Sequence, residues 1–171
     1  MKILYLAHRI PYPPNKGDKI RSYNEVKYLA ERHQVDLISL VDEPEDHRYK
    51  GELEKLCNRV ALFSLNKSVA KIKGIISLVA GGTISVGYFY QKKMQQLVDL
   101  WLQEESYDAI ICFSSTMAEY VFRSKIYPTL KVQEKPKLIM DFCDVDSDSG
   151  YSTPPKPDFR WIMFIVWKIV D

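Results

Sequence analysis

The 171-residue sequence is sparing with glycine and cysteine, with seven of the first and three of the second. The glycines form neither G-x-G-x-x-G nor G-x-x-x-x-G-K-[ST], which argues against a standard dinucleotide or P-loop site and against a nucleotide-dependent oxidoreductase. No G-x-S-x-G elbow surrounds Ser114 and Ser115, so a hydrolase nucleophile is not expected there. Cys57, Cys112 and Cys143 are far apart and in apolar settings. An odd count at such spacing argues against a disulfide framework and against a zinc site, and reads as buried thiols in a reducing cytoplasm. Neither sign of charge dominates: 24 Lys and Arg face 22 Asp and Glu, a net +2. Charge alone therefore implies no polyanionic partner, and no nucleic acid is expected. No stretch reaches the ~20 apolar residues that cross a bilayer; the nearest, Trp161–Trp167, is too short. The chain opens on a strand-length apolar run, not on a basic region before a long apolar one, so no secretory leader is expected.

What is present begins with that run. KILYLA reads as a short buried strand. HRIPYPPNKGDK follows, a proline-rich structured loop. From Asp18 onward Ile20, Tyr23, Val26, Leu29 and Ala30 recur at helical spacing. Strand, rigid loop and helix at the start of a chain open a Rossmann-like α/β domain, in which ligands sit beyond the carboxyl ends of the strands.

The pattern then repeats. Val35–Val41, Arg59–Leu65, Asp108–Phe113 and Lys137–Phe142 read as further strands. Helices are expected around 49–57 and over 69–80, 88–104 and 115–123. Leu53, Leu56 and Cys57 share one face of the first of these. Ile72, Ile75, Ile76 and Val79 are read as the inward face of the second. Residues 83–87 are expected to be a loop after the Gly81-Gly82 break. Near-continuous apolar strands alternating with helices predict an α/β, Rossmann-like three-layer sandwich with a parallel sheet of at least five strands.

Several groups at the carboxyl ends of these strands can carry chemistry. In Asn15-Lys16-Gly17-Asp18 the glycine permits close backbone approach, Asp18 can cap the helix, and Lys16, Lys19 and Arg21 supply positive charge. This is either a phosphate- or sugar-binding loop or simply a well-made strand–helix connection with solvated lysines. DFCDVDSDS holds Asp141, Asp144, Asp146 and Asp148. These carboxylates can hold a cation, orient sugar hydroxyls or act as a base, or they form a polar loop with capping aspartates. The glycine and terminal glutamate of a calcium loop are out of register. Ser114 and Ser115 can donate to a substrate, though plain N-capping is preferred. His8 follows the first strand and is either a hydrogen-bonding or basic group or a structural histidine.

The opening KILYLAHRIPYPPNKGDKIRSYNEVKYLA resembles the N-terminal domain of GT-B glycosyltransferases of the glycosyltransferase-4 kind. It is similar above all to a subgroup of sugar transferases associated with bacterial exopolysaccharide and exosortase systems. AIICFSSTMAEYVF and MDFCDVDSDS match the same subgroup, and the resemblance runs to about Ser149. It implies two Rossmann-like domains facing across a cleft, the N-terminal one binding mainly the acceptor. It implies transfer of a sugar from a nucleoside-diphosphate sugar to a glycan or lipid-linked acceptor with retention of configuration, with no cofactor or obligatory metal. By resemblance, Asn15, Lys16, Gly17 and Asp18 lie near donor phosphate and acceptor, and Arg21 projects toward the cleft. Many members carry a histidine after the fifth strand; here the stretch reads Phe142-Cys143-Asp144, which shifts the catalytic expectation to Asp144 and Asp146.

Residues 1–148 are thus expected to be an acceptor-side domain and 149–171 a loop and apolar helix, an interdomain segment cut short. The donor-binding domain the resemblance implies is not in these 171 residues, so the isolated chain is expected to be an inactive half-enzyme. The rival expectation is a non-catalytic Rossmann-like module that dimerises or docks through the apolar tail. Either sits in the cytoplasm, with room for peripheral contact at the inner face of the membrane.

Overall fold

A computed structural model describes residues 1–142. Asp144, Asp146 and the apolar tail lie outside the described residues. Five strands form one sheet: β1 (Lys2–Ala7), β2 (Gln34–Val41), β3 (Arg59–Ser64), β4 (Ala109–Phe113) and β5 (Lys137–Asp141). All four pairings are parallel, in the order β3-β2-β1-β4-β5. Helices α1 (Gly17–Ala30), α2 (Lys50–Glu54), α3 (Lys67–Val79), α4 (Ile84–Phe89), α5 (Lys92–Glu104) and α6 (Ser115–Phe122) connect them.

Strand alternation divides the core in two. Ile3, Tyr5 and Ala7 of β1 pack with Leu37 of β2, Phe113 of β4 and the α1 residues Val26 and Leu29. Leu4 and Leu6 face the other way, toward Met94, Val98 and Trp101 of α5 and Met117, Tyr120 and Val121 of α6. Because both faces of the sheet are covered, the strands read as unbroken apolar runs. The chain is a Rossmann-like three-layer α/β fold.

Several local expectations are corrected. Helix α1 buries Lys19, Ser22, Val26 and Leu29, while Ile20 is exposed. Lys19 reaches under the loop to Asp46 at 2.6 Å, so its charge is consumed by a buried ion pair and does not serve the cleft. The expected helix around 49–57 is a 3-10 turn over Pro44–Tyr49 followed by the short α2. The expected loop 83–87 is the start of α4, capped by Thr83, whose Oγ1 accepts from the Val86 N–H. The expected long helix from Tyr88 is broken at Tyr90 and Gln91, both extended. Tyr120 holds the break: its hydroxyl donates to the Phe89 carbonyl at 2.7 Å and accepts from the Gln91 N–H at 2.8 Å.

Helix α3 is turned opposite to expectation. Ile72, Ile75, Ile76 and Val79 point outward, and the buried residues are Ala70 and Gly74. The cause is the closeness of α4. A Cβ placed on Gly87 would lie 2.5 Å from Ser77 Cβ and 2.6 Å from the Lys73 carbonyl oxygen. Only the small-residue face of α3 fits against a neighbour that near, so its large side chains face away.

Candidate functional site at the sheet switch point

Strand order runs outward from β1 through β2 and β3, then returns to β4 and β5 on the other side. The switch point lies between β1 and β4, where open α/β sheets form their ligand crevice beyond the strand ends. A cleft of about 500 Å³ opens there, walled by His8 and Arg9 after β1, Gly17, Asp18 and Arg21 of α1, Phe89 of α4 and Phe113 of β4.

The loop feeding this cleft is held from behind. Ile10 is fully buried, and the Tyr12 ring packs 5.5 Å from Tyr23 and 5.3 Å from Tyr49. The Tyr12–Pro13 peptide is cis. Lys16 occupies the N-cap of α1 without capping it through its side chain. First-turn N–H groups therefore keep donor capacity at the cleft end of the helix. Around Gly17 a Cβ would meet nothing within 4 Å, so this backbone is open to close approach.

His8 forms the floor with two phenylalanines. Its ring stacks on Phe113 at 5.8 Å and meets the edge of Phe89 at 5.5 Å. Nδ1 lies 3.2 Å from the Phe113 carbonyl, which can only accept, so Nδ1 carries the hydrogen and Nε2 presents its lone pair. Burial lowers the His8 pKa below its ordinary value against the pull of that hydrogen bond, so the ring is neutral at pH 7.

The two arginines of the lining are paired with carboxylates, of which Asp18 is in the lining and Asp42 and Asp141 are buried. Arg9 Nη1 donates to Asp18 Oδ2 at 2.6 Å, and its Nε lies 3.1 Å from Asp42 Oδ2. Arg21 donates to Asp141 Oδ1 and sits 5.9 Å from the Phe113 ring centroid. Desolvation raises the Asp141 pKa in spite of Arg21. Behind it Tyr5 donates to Glu25 Oε2 at 2.6 Å, and burial likewise raises the Glu25 pKa. Asp42 Oδ1 and Asp141 Oδ2 are buried and have no hydrogen-bond partner among the described residues.

Of the residues singled out in the sequence, His8, Gly17, Asp18 and Arg21 meet in one cleft. Asp18 lies in the first turn of α1 but serves Arg9 and not the helix cap. Lys16 is 3.9 Å from Glu43, outside the lining, and Asn15 sits beside it in the exposed loop. Ser114 holds the N-cap position of α6 without a side-chain cap: its φ is 90° and its Oγ lies 3.1 Å from Thr116 Oγ1. Ser115, the first residue of α6, is exposed. Sequence reasoning missed Arg9, Asp42, Phe89 and Phe113, and passed over Asp141 for its neighbours. Asp141 ends β5 and Asp42 follows β2 directly. The rule that placed His8 at a strand end could have found both.

Among the described residues no group of three or more His, Cys, Asp or Glu side chains is placed to hold a metal. Comparison of the chain with protein-family models, with curated proteins and with solved structures returns no match.

Proposed function

We propose that this chain is the acceptor-side half of a retaining glycosyltransferase, which transfers a sugar from a nucleoside-diphosphate sugar in cell-surface polysaccharide synthesis. The observation that supports it is the paired charge of the cleft: each arginine already faces a carboxylate, Arg9 with Asp18 and Arg21 with Asp141. A pyrophosphate entering there must displace a carboxylate from an arginine and sit near the one displaced. A neutral polyol instead inserts hydroxyls between the partners, accepting from guanidinium and donating to carboxylate. The His8 Nε2 lone pair, in the cleft lining, is an acceptor for one such hydroxyl. Phe89, partly exposed in the lining, gives apolar surface to the C–H face of a sugar ring. The resemblance in the opening loop adds the family, and the cleft chemistry favours the acceptor over the donor phosphate as its occupant. Asp144 and Asp146 keep their expected role near the reacting sugar and lie outside the described residues.

Saturation-transfer difference NMR with short neutral glycans tests this reading. Transfer is expected for the native chain, and titration should show affinity falling roughly tenfold or more in Arg21→Ala and in Asp141→Asn, about the value of one charge-assisted hydrogen bond. Glycan signals that persist unchanged in both variants would remove the cleft from the proposal. The alternative, a non-catalytic interaction module, is favoured by the exposed apolar face of α3; it predicts no glycan signal at all.

A further inference from the structure

We propose that the α3–α4 hairpin is a docking surface for an anionic lipid bilayer, its apolar tip entering the interface while its lysines meet the headgroups. The apolar part is large and contiguous in sequence. Ile72 and Ile75 are 60 % exposed, Ile76 61 % and Val79 85 %, with Leu78 and Ile84 also exposed. Isolated exposed apolar residues need no explanation, but a helix that turns its isoleucines to water and its glycine inward does. Small residues at the helix contact and large apolar ones outside is the arrangement of helices that face lipid.

The charges identify the occupant. From Lys67 to Lys93 the chain has five lysines and neither aspartate nor glutamate. Lys67 is taken up by Glu43 at 2.8 Å. Lys71, Lys73, Lys92 and Lys93 are exposed and form no ion pair among the described residues. An apolar tip beside unopposed lysines matches the two attractions that hold a helix at an anionic interface. A second copy is a poorer fit, because a two-fold contact would bring lysines of one hairpin against those of the other. With 13 residues α3 is too short to span a bilayer, which takes ~20, so the hairpin lies in the interface. Phe89, which ends α4, lines the cleft, so docking would set the cleft at the lipid surface. The lipid docking rests on these residues alone and stands apart from the sugar-transfer reading.

Flotation of the full 171-residue chain with vesicles of phosphatidylcholine containing about one third phosphatidylglycerol tests it, read against neutral vesicles and against rising salt. Two variants accompany it, Ile75→Ser/Ile76→Ser/Val79→Ser and Lys71→Glu/Lys73→Glu, each checked for folding by circular dichroism. The native chain should float with the anionic vesicles, less with neutral ones, and less as salt rises. Each variant should partition at least tenfold more weakly. Should the serine variant fail to fold, the charge variant carries the test alone. Three results would overturn the proposal: no flotation of the native chain, flotation unchanged in the folded variants, or a change confined to the oligomeric state in light scattering. Unchanged flotation would move the contact elsewhere in the chain, and an oligomer change would assign the face to a second copy.

Discussion

Asp36 lies fully buried in β2, at the end of the sheet away from the cleft. Asn58 and Tyr107 donate to its carboxylate at 2.8 and 2.7 Å, and Arg59 Nε donates at 3.0 Å. Burial alone would raise its pKa, but these donors outweigh burial and hold it below the ordinary 3.8. A carboxylate held low stabilises the fold above its unfolded pKa and loses that contribution as pH falls through the folded one. Asp36→Ala strands three donors and should cost about 3 kcal/mol at neutral pH. In urea melts the difference from the native chain should stay constant as pH falls toward about 5, then shrink below 3.8. Glu25 has the opposite sign. Its folded pKa is raised, so the ionised form opposes folding and native stability declines as pH rises through 4.5 toward the folded value. Glu25→Gln keeps an acceptor for Tyr5 and loses the charge. Its stability relative to the native chain should increase between about pH 4 and pH 7; a flat difference in the same melts contradicts the burial argument.

At the scale of elements, the strands were legible because both faces of the sheet are buried and the runs are apolar throughout. Helix α3 carries a periodic apolar pattern too, and periodicity shows that a face exists without saying what lies against it. The neighbour turned out to be α4, close enough to admit only Ala70 and Gly74. The break between α4 and α5 has no proline or glycine at Tyr90 or Gln91 to announce it. It exists because Tyr120, some thirty residues later, satisfies the Phe89 carbonyl and the Gln91 N–H. Tyr120→Phe leaves both groups without that partner and should cost about 2 kcal/mol. Hydrogen exchange at Gln91 should rise with it, and an unchanged exchange rate there would show that the break does not depend on the hydroxyl.

At the scale of the whole molecule, topology does what no motif could. It brings the ends of β1 and β4 together and draws His8, Gly17, Asp18 and Arg21 from a single stretch of sequence to one cleft. These four could be read in advance because they follow the first strand, and the position of that strand in such a fold is set by general rules. The partners that give the cleft its character came from β2, β4, β5 and α4, and local sequence says nothing of which arginine meets which carboxylate. Cys57 and Cys112 are buried and free, as expected, and burial lifts the Cys57 thiol to about 12. Neither is a nucleophile at neutral pH. Calorimetry on the 171-residue chain, titrated in parallel with UDP- and GDP-sugars and with neutral glycans, tests the acceptor-side assignment most directly. Measurable glycan binding that weakens roughly tenfold or more in Arg21→Ala, beside weak or no donor binding, is the expected result; tight donor binding with no response to glycans would contradict it.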